Sequence, residues 1–410
     1  MIKYYHRLIY LLPIALVSGP FVPDSIVVVC ALLFLIDTFR NKLFCYYDNS
    51  FFKIFLLFFF LINLSALLSG DLMPLKYSLG YLRYGIFSVF VFYVLKNFKN
   101  AKLYFSYSII AVFLFLIIDG FIQFTFGKNI FLFELNRYGN SLPYVTSVFA
   151  EEKKLGSYMA RLFPLLLMSL FVINEKFEQK NLDKINVLFI FLIIFTVAST
   201  TERVSFFILM VCIFYFFFKS KNFIKSKSII YLIFITSLLL MFYFNPLLFH
   251  KFKSILYSSG LSHPGYTEPG KVMGGYDIGF YIFSKFHHEQ IINCIEIFKN
   301  NVFFGVGAKN YKNITGLTHP HNFHAQILAE SGLFAYVVVL SVFSFLFYKV
   351  NKLMFFRNSL SKNEEIKFIL ILSFLVSLIP IPSGDFFNNW LNIIMYLPVG
   401  FYLYLDDKKI

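Results

Sequence analysis

Charged residues are scarce in this chain. Asp, Glu, Lys and Arg make up 14% of its 410 residues, against about 25% in soluble domains. That is too little charge to clothe a water-soluble core of this size, which excludes an ordinary soluble enzyme. Cysteine is scarce as well. Cys30, Cys45, Cys212 and Cys294 form no Cys-x-x-Cys pair, and Cys30 and Cys212 fall in apolar runs, so neither a disulfide framework nor a cysteine zinc site is indicated. There is no Gly-x-Ser-x-Gly elbow, no P-loop and no His-Glu-x-x-His, which removes three common catalytic readings. Nor is there an internal repeat or a low-complexity tail.

What fills the chain is hydrocarbon. It is 58% hydrophobic and 21% aromatic, with a mean hydropathy of +0.70. Runs such as "IFLLFFFLINLSALL" (54–68) and "IIYLIFITSLLLMFYF" (229–244) recur. With their flanks they are long enough to span about 30 Å of hydrocarbon as helices. A membrane β-barrel would need alternating polarity, which these runs lack. The expected fold is therefore all-α and polytopic, with about twelve transmembrane helices centred near Ala15, Leu32, Phe59, Val89, Leu114, Leu167, Leu192, Met210, Leu238, Val338, Leu372 and Met395. The N-terminal "MIKYYHRLIYLLPIALVSGP" has no small-x-small cleavage site and reads as a retained first span.

The net charge of +15 orients the bundle rather than pointing to nucleic acid. The N-terminus, the connections at 37–53, 96–102, 175–184, 219–228 and 349–367, and the C-terminal tail together hold 22 of the 37 Lys and Arg and 9 of the 22 Asp and Glu, a net 22 − 9 = +13. The remainder carries 15 − 13 = +2. The positive-inside rule makes the basic side cytoplasmic, with both termini inside. Two extracytoplasmic segments are long, 127–157 and 249–318, and connections of that length are more often functional than passive. The second contains "CIEIFKNNVFFGVG" (294–307), whose first half reads as an amphipathic helix broken by Gly305 and Gly307.

Charges at membrane boundaries are candidates for function. Arg203, in "STTERVSFF", sits at the outer end of the eighth expected span with Thr200, Thr201 and Glu202. Arg161, in "EEKKLGSYMARLFPLLL", opens the sixth. Either could be a boundary residue that snorkels to water, but a guanidinium fork also matches phosphate oxygens. The densest cluster is "THPHNFHAQILAESG" (318–332). Pro320 suits a first-turn helix position, and Asn322 could cap instead. Either way His321 and His324 fall near a helix N-terminus, about one turn apart. The dipole there disfavours a charged ring, and a neutral imidazole can take a proton from a hydroxyl. The same amides favour a diphosphate. His319, His321 and His324, with His287, His288 and Glu289 of "FHHEQ", are enough ligands for zinc. Their spacing is not a standard ligand pattern and Pro320 constrains it, so no metal is expected.

Several of these stretches together resemble one family. "GVGAKNY" (305–311) followed by "THPHNFHAQILAESGLFAY" (318–336) is similar to the signature of the O-antigen ligase and O-antigen polymerase superfamily. "TTERVSFFILM" (200–210) resembles that family's arginine segment, and "EEKKLGSYMARLFPLLL" (151–167) and "PSGDFFNNW" (382–390) resemble flanking segments of one branch. The resemblance covers about 151–390. It divides the chain into N-terminal transmembrane helices, 1–125, and a ligase/polymerase-like membrane region, 126–410, whose large periplasmic loop, 249–318, lies between helices 9 and 10.

The resemblance implies a C-type glycosyltransferase fold in the bacterial inner membrane, with its active site on the periplasmic side. It implies an undecaprenyl-diphosphate-linked glycan as donor and neither nucleotide, metal nor other cofactor. In a ligase the acceptor is a sugar hydroxyl of lipid A–core; in a polymerase it is another lipid-linked repeat unit. His321 matches the family's catalytic histidine and Arg203 its diphosphate-binding arginine. A second arginine is expected upstream of Gly305, where this chain has His287 and His288. Arg161, Lys309 or a protonated His288 would have to replace it. Asn322, His319, His324, Lys309 and Glu330 are the supporting positions. A flippase or transporter of lipid-linked sugars is the alternative from another class, but it predicts two pseudo-symmetric halves and a midplane polar site, and the polar residues cluster at one boundary instead.

Overall fold

The computed structural model describes residues 2–136, 143–177, 182–219, 235–236, 239, 285–357 and 360–407. The expected ninth span, centred on Leu238, and the part of the long loop up to residue 284 lie outside the described residues. Of the described residues 78% are helical, and none is in a strand. Fifteen α-helices are described: α1 (Ile2–Tyr5), α2 (Leu8–Ala15), α3 (Phe21–Asn41), α4 (Ser50–Leu68), α5 (Leu72–Gly80), α6 (Leu82–Asn97), α7 (Ala101–Phe126), α8 (Leu155–Phe177), α9 (Leu182–Ser199), α10 (Arg203–Lys219), α11 (Lys285–Asn300), α12 (Tyr311–Thr315), α13 (Phe323–Phe355), α14 (Lys362–Ser377) and α15 (Asn389–Asp406).

Six stretches are long and apolar enough to cross a membrane: α3, α4, α5 with α6 as one run (Leu72–Asn97), α7, α8 and α13. They coincide with the expected second to sixth and tenth spans. Two shorter apolar helices, Ile185–Ser199 and Arg203–Phe216, fall on the seventh and eighth. The first expected span consists of the short helices α1 and α2, and the last two of α14 and α15. This is an all-helical, multi-pass membrane protein.

Local chemistry sets the helix ends. Asn49, Asp71, Asn322, Ser361 and Asn388 each accept a hydrogen bond from a first-turn amide, the standard answer to the unpaired N–H groups at a helix start. Ser361 and Glu364 complete a reciprocal capping box. Gly127, at φ +78, stops α7. Helix α8 is the axis of the bundle: residues 158–172 are buried on every side, among α7, α10 and α14.

Polar bonds tie one set of helix ends together. The Arg83 Nε donates to Asp24 Oδ1 at 3.0 Å and its Nη2 to Asn389 Oδ1 at 3.0 Å, joining the starts of α3, α6 and α15. Trp390 Nε1 donates to the Leu16 carbonyl, and the Tyr158 hydroxyl to that of Pro13, each at 2.8 Å. Gly156 N–H and Ser157 N–H, at the start of α8, donate to the two carboxylate oxygens of Glu202, each at 3.0 Å. Helix directions therefore alternate, and the ends of α2, α7, α9 and α14 meet the beginnings of α3, α6, α8, α10, α13 and α15. The opposite ends carry exposed ion pairs such as Lys367–Asp406 and Lys362–Glu175.

Helix α13 is broken. Gly332 stands at φ +75, ψ −176, a conformation open essentially to glycine alone. The chain at 302–307 lies against the break: Val306 N–H donates to Ala329 O at 3.2 Å, Gly307 N–H to Glu330 O at 2.7 Å, and Leu333 N–H to Val302 O at 2.8 Å. A Cβ on Gly332 would sit 2.4 Å from the Phe303 carbonyl oxygen, and one on Gly305 2.6 Å from the Glu330 carbonyl carbon. Gly332→Ala is therefore expected to lower the thermal unfolding midpoint in detergent sharply, because it combines backbone strain with a collision against main chain. Gly316→Ala has the same sign of φ but an open Cβ position and should cost only about 1 kcal/mol. Equal shifts for the two variants would contradict the fit.

Candidate functional site

The break in α13 fixes what flanks it. Just before α13 the chain passes through His319, Pro320 and His321, and Asn322 is the cap: its side chain accepts from Ala325 N–H at 3.0 Å. Pro320 thus precedes the helix instead of occupying its first turn. His321 lies outside the helix at φ +52, a left-handed conformation that side chains rarely adopt. It is held there by Asn322 on one side and by Ser383 N–H, which donates to the His321 carbonyl at 2.9 Å.

Three imidazoles converge. The His319 and His321 rings are 4.0 Å apart between centroids, and the His287 ring is 5.4 Å from that of His321. Phe286 closes one side, 5.7 Å from His321. His287 belongs to the first turn of α11, a helix that begins well before the expected amphipathic segment at 294. Burial pushes all three rings below the usual imidazole range, and neighbouring groups add to it at His287 and His319. His287 is lowered by burial, then by His321 and by the Arg203 guanidinium. His319 is pushed down to about 4 by burial, then by His321, with Lys309 pushing the same way and Asp385 opposing. His321 is lowered by burial. The Nε2 of His319 is buried and has no hydrogen-bond partner among the described residues.

Arg203 opens α10 and is exposed, close enough for its charge to bear on His287. The structure thus gathers His287, His319 and His321 just before α13, with Arg203 at the start of α10 near enough for its charge to act on His287, and the starts of α10 and α13 favour negative charge. Arg161 is elsewhere. It is only 5% exposed, donates through Nε to Ser157 Oγ at 3.2 Å and faces Glu202. Glu202 also accepts from Ser205 Oγ at 2.6 Å, and burial pushes its carboxyl up to about 7 against the pull of these bonds. Its approach to α8 requires Gly156, where a Cβ would lie 2.6 Å from Thr200 Oγ1. His288 is half-buried on α11, turned about 100° from His287. His324 points into the bundle, its Nε2 2.6 Å from the Leu378 carbonyl.

Behind the rings lies a polar network. Gln326 Nε2 donates to Glu330 Oε2 at 3.0 Å and to Asp385 Oδ1 at 2.7 Å, and Gln326 Oε1 accepts from Phe386 N–H at 2.7 Å. Glu330 Oε1 accepts from Tyr311 N–H at 3.1 Å. Lys309 pairs with Asp385 at 3.4 Å and lies 4.3 Å over the Tyr77 ring. Glu330 therefore clamps the 305–311 turn to α13, and Lys309 reaches the rings only by its field. Gln326 and Asp385 are site-supporting residues that reading the sequence did not select. The signal available was Gln326 one turn after Asn322, and an acid, Asp385, inside "PSGDFFNNW". Among the described residues no three His, Cys, Asp or Glu side chains are arranged to hold a metal ion.

The sequence matches no protein-family model and has no match among curated proteins.

Asp385→Ala would leave Phe387 N–H, which donates to Asp385 Oδ1 at 2.9 Å, without its acceptor and remove one of the two acceptors of Gln326 Nε2. A loss of about 1–3 kcal/mol is expected for such orphaned groups. Asp385→Asn keeps Oδ1 and loses only the Lys309 pair, worth about 1 kcal/mol or less at a partly exposed site. Thermal unfolding in detergent should rank wild type and Asp385→Asn together, with Asp385→Ala clearly below; the reverse order would refute the network.

Proposed function

We propose that this chain is an inverting glycosyltransferase of the O-antigen ligase and polymerase superfamily. In this reading it moves a glycan from undecaprenyl diphosphate to a sugar hydroxyl of lipid A–core, on the periplasmic side of the bacterial inner membrane. The observation that carries the proposal is the cluster of His319, His321 and His287, in which burial favours the neutral form of His321, with the exposed Arg203 close enough for its charge to act on His287. It pairs a base with an anion site, the two functions such a transfer needs.

His321 accepts the proton of the acceptor hydroxyl. The freed oxygen attacks C1 of the donor sugar from the face opposite the diphosphate. The new C1–O bond forms as the bond from C1 to the phosphate oxygen breaks, and the electron pair leaves with undecaprenyl diphosphate. Arg203 and the helix-start amides hold the charge that develops on that leaving group. His287 and His319, both depressed by burial, stay uncharged and leave the base without a competing cation. The buried, unpaired Nε2 of His319 lies in a ring 4.0 Å from that of His321 and tilted 45° to it, where it can hold a water that carries the proton away. The second cation of the family pattern is not supplied by Arg161, whose described partners are Ser157 and Glu202.

His321→Ala is expected to abolish glycan transfer in a reconstituted assay with purified lipid-linked donor, and Arg203→Lys to lose most of it, because one ammonium cannot replace a bidentate fork. Wild-type turnover in either variant would refute the assignment. A deletion strain separates the two acceptors: a missing ligase leaves lipid A–core bare and long lipid-linked chains accumulating, whereas a missing polymerase leaves one repeat unit on the core. If lipid-linked glycan still crosses the membrane in His321→Ala while transfer stops, the flippase alternative is excluded.

The base must be neutral to act, and its pKa lies below the ordinary 6.5. The acid limb of kcat/KM, which reports the free enzyme, is therefore expected to have its midpoint below 6.5. A midpoint above about 7 would show that His321 is not the base.

A further inference from the structure

Helix α7 holds a buried carboxylate that the site does not use. Asp119 is fully buried, two turns before the end of the helix at Phe126, or about 10 Å along its axis. An acid inside an apolar span demands partners. Those partners come from the segment that follows the helix. Gly127 reverses the chain, and residues 127–135 fold back along α7 as a tight hairpin. At its neck Leu135 N–H donates to Gly127 O at 2.7 Å, and Lys128 pairs with Glu134 at 3.1 Å. At its tip Ile130 N–H donates to Asp119 Oδ1 at 2.9 Å, and Asn129 Nδ2 to Asp119 Oδ2 at 3.2 Å. Phe131 reaches further, with its ring 6.4 Å from that of Phe115, three turns or about 16 Å from the helix end.

The tip is apolar and outward. Ile130, Phe131 and Leu132 are 52%, 56% and 75% exposed, continuous with the exposed Phe115, Ile118 and Phe121 of α7. Part of its backbone is paired within the hairpin: Asn129 N–H donates to Phe133 O, Leu132 N–H to Asn129 O, and Phe133 N–H to Asn129 Oδ1. Gln123 Nε2 reaches Glu134 O at 3.1 Å from below. Each such bond satisfies a backbone group that would be costly to leave unpaired at membrane depth. The 26 residues of α7 measure about 39 Å, against about 30 Å of hydrocarbon, so a tip between the levels of Phe115 and Asp119 lies below the headgroups even if half the excess projects at this end.

We propose that residues 127–135 form a re-entrant hairpin that inserts the Ile130–Phe131–Leu132 tip among the acyl chains of the leaflet at this end of α7, pinned by Asp119. The occupant of the apolar face is lipid: the face continues the wall of a helix able to cross a membrane, and its charged pair, Lys128 and Glu134, sits at the neck where the interface falls. This inference rests on α7 and the hairpin alone and is independent of the transfer reaction.

The test places an environment-sensitive fluorophore on Leu132→Cys in full-length protein carrying Cys45→Ser, which removes the exposed cysteine; the other three are buried. The protein is reconstituted in phosphatidylcholine–phosphatidylglycerol vesicles. A nitroxide on the upper acyl chain should quench most of the emission, and aqueous iodide almost none. Quenching by iodide without quenching by nitroxide overturns the proposal. So does protection from both, which would mean that protein covers the tip. Adding Asp119→Ala should release the tip and make it iodide-accessible; where that variant does not fold, Asn129→Ala, which removes the Phe133 N–H acceptor, serves instead. Unchanged protection in a folded, unpinned variant would show that Asp119 does not hold the hairpin.

Discussion

The structure depends on one close approach of backbone to backbone, at Gly332. A helix has no spare hydrogen-bonding groups in its middle, so another strand of chain can join it only where it is broken. Gly332 breaks α13 and frees the carbonyls of Ala329 and Glu330, which accept from Val306 and Gly307, while Leu333 donates back to Val302. The Ser65 hydroxyl adds a third element by donating to Glu330 O at 2.8 Å. Gly305, Gly307 and Gly332 are thus three parts of one joint, each at positive φ and each without room for a Cβ. Because α11 leads directly into 302–307, the joint also sets the height at which α11 starts. It is the reason His287 comes to face His321.

Buried carboxylates do the remaining positioning, and each does it by accepting from backbone. Glu330 takes Tyr311 N–H, Glu202 takes Gly156 and Ser157 N–H, and Asp119 takes Ile130 N–H. All three anchor an irregular segment to a helix at the same end of the bundle. A carboxylate suits this use because it offers several acceptor sites, so one side chain can satisfy amides that no regular structure pairs. The cost of burying each acid is offset by the polar backbone it satisfies, which would otherwise be orphaned in an apolar medium.

These features explain how far the sequence could be read. The apolar runs at α3, α4, α6, α7, α8 and α13 were legible because a membrane span needs only length and hydrophobicity. The His-Pro-His-Asn block and the Gly-x-Gly were visible as local exceptions to that composition. The assignment of the cap was not, since Pro320 and Asn322 each satisfy a helix start, and the choice depends on Ser383, which lies far along the chain. The pairing of Gly305 with Gly332 was equally out of reach, because each is an ordinary helix breaker until the two are seen in contact. Arg161 and Arg203 look alike as boundary arginines. Glu202 separates them, since it draws Arg161 into the bundle and leaves Arg203 exposed. Asp119 and Gln123 look incidental within an apolar run, because their partners between 127 and 147 read only as a long loop.

The cause of the neutral rings also differs from what position alone suggests. A helix start disfavours a positive imidazole through its dipole, and that field falls off within a turn. His321 lies before the cap, where the dipole acts, yet burial is the larger influence on it and on both of its neighbours. Burial is a property of the assembled joint and not of the helix. Bringing α11 against the chain before α13 buries the rings and favours their neutral form further, so the glycines that shape the backbone also bear on the protonation of the site. A ring kept neutral in this way can lie near a fixed guanidinium without being driven to ionise, since a nearby cation only lowers its pKa further. That permits a proton acceptor and a cation to share one small region, an arrangement two ionised groups of like charge could not sustain.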